Sequence, residues 1–121
     1  MKPRLDALKA APGAYQAMLA LEGYIKKASR LEPSLLELVR MRASQINGCA
    51  YCLDMHSKDA RASGESEQRL YALDAWRETP FYTDRERAAL AWTEAVTKIS
   101  QDHAPDPVYQ EARQLLAKKS W

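Results

Sequence analysis

From Leu35 to Ile46 the chain runs Leu35, Leu36, Leu38, Val39, Met41, Ala43, Ile46, an apolar set too dense to leave much of a helix circumference polar. A helix of that kind is central to its fold. It stops at Asn47-Gly48, two residues that tolerate the left-handed backbone with which helices end. Both cysteines of the chain, Cys49 and Cys52, follow at once, and His56, one of only two histidines, comes four residues after Cys52. A buried helix, a sharp reversal and a second helix that begins on a Cys-x-x-Cys pair are therefore the frame on which the remaining residues must fit.

The rest of the sequence accommodates only helices. Glycine is scarce, four residues in 121, and β-branched residues are few beside Ala, Leu, Glu, Arg and Lys, which favours an all-α fold. Ala14, Met18, Leu21 and Ile25 form one stripe and predict a helix over residues 15–28, after an arm of residues 1–13 broken by Pro12 and Gly13. Ser34 followed by Glu37 has the form of a capping box that opens the central helix. The cysteine helix is expected to run from Cys49, at or near its N-cap, to residue 61 or 62, with Gly64 as its stop. A fourth helix is expected over residues 66–76, burying Leu70, Leu73 and Trp76. Thr83 with Glu86 is a second capping box, opening a fifth helix over residues 84–100 whose apolar side is mostly small: Ala88, Ala89, Ala91, Trp92, Ala95, Val96 and Ile99. After the break at Asp102–Pro107 a last helix is expected over residues 107–118. The expected fold is a single all-α domain over residues 1–121, built of about five to six helices.

Charge narrows the function classes. Eighteen basic and sixteen acidic side chains give a net charge of +2 with the signs interspersed, so no basic stripe marks a nucleic-acid partner. No stretch approaches the roughly 20 apolar residues of a membrane span, and the N-terminus lacks the apolar run of a signal peptide, which points to the cytoplasm. In that reducing compartment a close cysteine pair is expected to be catalytic or metal-binding rather than a structural staple. Helix N-termini favour thiolates, because unpaired N–H groups and the helix dipole stabilise negative charge there. His56 shares a helical face with Cys52, where an imidazole can exchange a proton with a thiol.

Each of these residues also has a plainer reading. The cysteines can be small apolar core residues, or zinc ligands together with His56, although a closed structural site wants four ligands and the other histidine, His103, lies in a distant loop. Glu37 is accounted for by its capping-box position alone. Tyr51, Trp76, Trp92, Tyr71 and Phe81 read as packing or interface aromatics.

The run from Leu35 to Gly64, with Glu37, Arg40, Arg42, Ala43, Ser44, Gln45, Ile46, Asn47, Gly48, Cys49, Tyr51, Cys52, His56, Ala60 and Arg61, closely resembles the alkylhydroperoxidase D-like (AhpD-like) branch of the carboxymuconolactone decarboxylase family. The segments 73–78 and 85–93 resemble it too, and the spacing Glu-x11-Cys-x2-Cys-x3-His is specific where a bare Cys-x-x-Cys is not. The resemblance implies an all-α fold with the dithiol at a helix start, assembly into dimers, trimers or hexamers, and thiol-dependent reduction of hydroperoxides. It carries Glu37 to a proton-relay glutamate, Cys49 and Cys52 to the redox pair, and His56 to the relay histidine. Cys52 is the expected nucleophile and Cys49 the resolving thiol. An external dithiol or protein electron donor is the implied reductant, and nothing calls for a metal, flavin or nucleotide cofactor. Two departures stand out. Members with well-developed peroxidase activity often carry a histidine between the cysteines, where this chain has Tyr51, and the family usually continues with a further apolar helix. A dithiol adaptor or redox sensor that serves a separate peroxidase is the second reading, and a non-catalytic helical assembly module the third. Muconolactone decarboxylation ranks low, since that branch does not depend on a cysteine pair.

Overall fold

The computed structural model describes residues 2–120, apart from the side chains of 117–120; Met1, the first residue of the expected arm, and Trp121 lie outside the described residues. Among the described residues every regular element is helical. The chain divides into two compact units, residues 1–30 and 31–121.

The first unit holds α1 (Ala7–Ala10), capped by the Asp6 side chain, and α2 (Pro12–Ala28). Pro12 does not break the chain as expected but opens α2 at its first turn, where a missing N–H costs nothing and the fixed φ is already helical. No described residue of this unit is buried, and the stripe of Met18, Leu21 and Ile25 is exposed.

The second unit is built on α3 (Pro33–Asn47), which packs against α4 (Ala50–Ala62), against α6 (Asp84–Thr97) and against a 3-10 segment (Leu73–Glu78). The central position expected for this helix is the one it occupies. Leu38 and Met41 enter a core with Ala60 of α4, Leu70, Leu73, Trp76, Tyr82 and Leu90, while Leu35 joins Ala89 of α6 and Ala112 and Leu116 of α8 (Asp106–Ser120). Small side chains at Ala88 and Ala89 let α6 lie close to its neighbours. Val96 and Ile99, at the far end of that stripe, are exposed, and Leu90 is fully buried instead.

Three expected elements differ in detail. The fourth helix is two: α5 (Glu67–Tyr71), capped by Ser66, and the 3-10 segment, with a non-helical kink at Ala75. Leu70, Leu73 and Trp76 recur at steps of three, the period of a 3-10 turn rather than of an α-helix, and all three are buried. The fifth helix ends at Thr97, with the short α7 (Ile99–Asp102) beyond Lys98. The capping box expected at Thr83 and Glu86 is present on both sides, whereas the one expected at Ser34 and Glu37 is not. Glu32 occupies the N-cap of α3 without a side-chain capping bond to the helix, and Pro33 takes the first helical position.

A buried arginine ties these layers together. Arg42 is 6% exposed; its guanidinium donates to Glu94 of α6 at 2.9 Å, to Asp74 of the 3-10 segment at 2.6 Å and to Gln45 at 3.0 Å. Glu94 also accepts from the Trp76 indole at 3.1 Å and from Arg77 at 2.8 Å. Burial pushes the Glu94 carboxyl up, but the hydrogen bonds from Arg77, Arg42 and Trp76 outweigh it and hold the pKa below its ordinary value. A carboxyl lowered in the folded state stabilises the fold above its unfolded value of 4.5 and loses that contribution as the pH falls through the lowered one. Replacing Glu94 with Gln is therefore expected to flatten the acid limb of the stability curve, followed by urea unfolding from neutral pH to about pH 3. Arg42→Ala, which strands part of this network, is expected to cost about 3 kcal/mol at neutral pH in the same measurement.

Candidate functional site

The two sulfurs owe their place to Gly48. It caps α3 in the left-handed region, φ 64° and ψ 33°, and its N–H and that of Cys49 return to carbonyls of the last turn of α3. The chain turns back at once, and Cys49 becomes the N-cap of α4, with its Sγ accepting from the backbone N–H of Cys52 at 3.2 Å. Cys49 and Cys52 are joined as a disulfide with Cα atoms 5.3 Å apart. Both sulfur-bearing residues are half-buried, while Tyr51 between them is 76% exposed. One sulfur thus sits where the free N–H groups of a 13-residue helix converge, the setting that stabilises a thiolate once the bond is reduced.

One turn past Cys52, His56 points toward α3. Its Nδ1 lies 3.3 Å from Oε2 of Glu37, and both side chains are more than four-fifths buried. The other carboxylate oxygen, Oε1, accepts from Arg40 at 3.2 Å. The absent capping box explains how Glu37 is free to do this: its carboxylate turns sideways to the next helix instead of back to the backbone of its own first turn.

The packing of α3 on α4 brings Glu37 and His56 together, and the helix start brings the two cysteines together, as the sequence leads one to expect. Two neighbours were not singled out beforehand. Arg40 fixes one oxygen of Glu37, and Asp59 offers an oxygen within 4.8 Å of a ligand atom of Glu37 and one of His56. The signal for each is a three-residue helical step, from Glu37 to Arg40 and from His56 to Asp59, which places both partners on one face. His103, the remaining histidine, caps α7 with φ 55° on an exposed loop. Trp76 is buried, Phe81 packs against the core and Trp92 packs against the Leu35 group, but Tyr71 is exposed.

Comparison with known proteins bears on the same residues. The family model of the carboxymuconolactone decarboxylase family matches residues 12–95, a span that includes the disulfide, Glu37 and His56. The uncharacterized protein YdfG of Bacillus subtilis is 42% identical over 114 residues, which are 94% of this chain and 77% of that protein. The uncharacterized protein YnjA of Escherichia coli is 35% identical over 72 residues, 60% of this chain and 40% of that protein. The crystal structure of ATU0492 from Agrobacterium tumefaciens, described as a protein of unknown function and assigned provisionally to antioxidant defence as AhpD, superposes with a TM-score of 0.91 at 44% identity. The match covers 98% of this chain and 80% of that one.

Gly48 is the position where the local geometry is tested most directly. A Cβ there meets nothing within 4 Å, so Gly48→Ala isolates the conformational cost of the left-handed backbone. The expected loss is about 1 kcal/mol in urea unfolding of the oxidised protein, with the helix content by circular dichroism unchanged.

Proposed function

The chain belongs to the alkylhydroperoxidase D-like branch of the carboxymuconolactone decarboxylase family, and on that footing we propose that it is a thiol-dependent oxidoreductase that reduces hydroperoxides through Cys49 and Cys52. The observation that carries this reading is the disulfide at the start of α4, with His56 one turn along the same helix and 3.3 Å from a buried carboxylate.

In the reduced protein His56 takes the proton of the Cys52 thiol, and the thiolate attacks one peroxide oxygen. An S–O bond forms, the O–O bond breaks, and the departing alkoxide takes the proton back from His56 to leave as an alcohol. The thiolate of Cys49, stabilised at the helix N-terminus, then attacks the Cys52 sulfenic acid; the S–S bond forms, the S–O bond breaks, and the departing hydroxide leaves as water by taking from solvent the proton that the Cys49 thiol had given up. An external dithiol or protein donor returns two electrons and two protons, restoring both thiols. Glu37 serves as the partner that orients the imidazole and balances its charge when it is protonated, and Arg40 holds Glu37 in turn. Arg40 and Glu37 are positioning residues, for neither touches the sulfurs in this scheme.

One feature favours a second reading. Tyr51 stands exposed between the cysteines where strongly peroxidatic relatives often carry a histidine, and an exposed aromatic next to a disulfide suits contact with another protein. The chain would then be a dithiol adaptor that reduces a separate peroxidase. Turnover of an organic hydroperoxide with a generic dithiol, measured with and without an added peroxiredoxin, separates the two: direct turnover supports the peroxidase, and turnover only with the added protein supports the adaptor.

Cys52→Ser is expected to abolish reduction of an organic hydroperoxide, and His56→Ala to slow it by about 100-fold or more, the usual contribution of a positioned acid–base group. One equivalent of peroxide should convert the reduced wild type to a species two protons lighter by mass, and convert Cys49→Ser to a sulfenic acid instead. An undiminished rate in Cys52→Ser would sink the choice of nucleophile.

A further inference from the structure

We propose that Glu37, His56 and Asp59 together form a binding site for a divalent transition-metal ion, with zinc the ion that best suits the donor set. The three side chains project from two packed helices: Glu37 from the first turns of α3, His56 and Asp59 three residues apart on α4. Each offers a ligand atom within 4.8 Å of the others.

Two observations separate this cluster from an ordinary surface group of charges. The first is the state of two of its atoms. Oε2 of Glu37 and Nδ1 of His56 are shut off from solvent and face each other at 3.3 Å as an ion pair without the alignment of a hydrogen bond, and no other described group bonds either atom. So loose a contact leaves both atoms weakly satisfied, and an ion placed between them would bond each. The second is the spacing. Zinc binds imidazole nitrogen and carboxylate oxygen at about 2.0–2.2 Å in a tetrahedral arrangement, so neighbouring ligand atoms stand about 3.3–3.6 Å apart. The pair from Glu37 and His56 already has that separation. Asp59 is exposed, and its free carboxylate is the member that can swing in to close the third edge.

The chemistry selects the ion. A neutral imidazole with two carboxylates suits zinc, cobalt or nickel, whereas magnesium and calcium prefer oxygen alone. Arg40 bonds the second oxygen of Glu37 and so orients the ligating one, although its positive charge offsets one of the two carboxylates and argues for a regulatory affinity rather than a permanent ion. Three protein ligands leave one position for water. On the reading of the function given above, an ion there would occupy the nitrogen and oxygen that move and balance the proton, and would hold the dithiol inactive.

The test uses the full chain in its disulfide form, verified by mass, so that neither sulfur can bind metal. Zinc chloride is titrated calorimetrically into the wild type, Asp59→Asn, His56→Gln and the control Asp54→Asn, an exposed carboxylate on the same helix paired with Lys58. One ion per chain is expected for the wild type and for Asp54→Asn, with affinity at least tenfold weaker in Asp59→Asn and lost in His56→Gln. No saturable binding to the oxidised wild type, or binding unchanged in both Asp59→Asn and His56→Gln, would overturn the site. Saturable zinc binding in a chain that fails to reduce peroxide would uphold the site and remove only the catalytic reading; turnover without zinc binding would do the reverse.

Discussion

The packing of α3 against α4 is the contact on which the rest depends. Leu38 and Met41 on one helix and Ala60 on the other are buried together, and the small side chain of Ala60 lets the two backbones approach. That contact, joined by a turn of only two residues, fixes the register of the hairpin. Glu37, near the start of α3, then faces His56, in the middle of α4, from a position far away in sequence. A slip of one residue along either helix would rotate its side chains by about 100° and part the carboxylate from the imidazole. The facing carboxylate and imidazole are thus positioned by apolar packing, and polar contacts adjust what the packing has already decided.

The charged networks hold α3 on its other side. Arg42 reaches α6 and the 3-10 segment, and Arg85 of α6 pairs with Glu32, at the N-cap of α3, at 2.8 Å while donating to the carbonyl of Leu115 on α8 at 2.5 Å. A third network, in which Arg69 binds Glu65 and Glu86, fastens α5 to the start of α6, and Tyr82 donates to the carbonyl of Arg69 at 2.5 Å. Burial raises the Glu86 carboxyl, yet its bonds from Arg69 and Thr83 bring it below the ordinary value. None of these groups lies between Glu37 and His56. They keep the layers in register.

Local signals were legible wherever the chain's own neighbours decide the outcome. The reversal at Asn47-Gly48, the N-cap at Cys49, the stop at Gly64 and the capping box of Thr83 and Glu86 depend on residues within a turn of one another, and each is present. Ser34 and Glu37 match the same capping pattern and fail it, because the helix already starts at Pro33, which puts Ser34 inside the first turn, and the carboxylate finds an arginine and a histidine instead. The steps of three from Leu70 to Trp76 were read as an α-helix although their period is that of a 3-10 turn. Arg42, a charged residue in an apolar run, gave no sign of being buried, since its burial is made tolerable by Asp74 and Glu94, which are distant in sequence. The stripe on α2 is apolar as its periodicity says, but periodicity does not say what covers it; among the described residues of its own unit nothing does.

On the proposed function, a division of labour between the two sulfurs follows from their positions on one helix. Cys49, at the N-cap, accepts a backbone N–H and gains from the dipole, so its thiolate is the stabilised one. Cys52, a turn further in, has less of that help and stands on the face that carries His56. A stabilised thiolate is a good leaving group and a weaker nucleophile, while a thiol with a base at hand supplies a reactive thiolate on demand. On the proposed reading these properties suit the order of events: Cys52 meets the oxidant, Cys49 closes the ring, and an incoming donor that attacks Cys52 expels Cys49, the sulfur best able to bear the charge. Tyr51 stands exposed between them, and both cysteines are half-buried, so an incoming donor on this reading meets the tyrosine ring beside the bond it reduces.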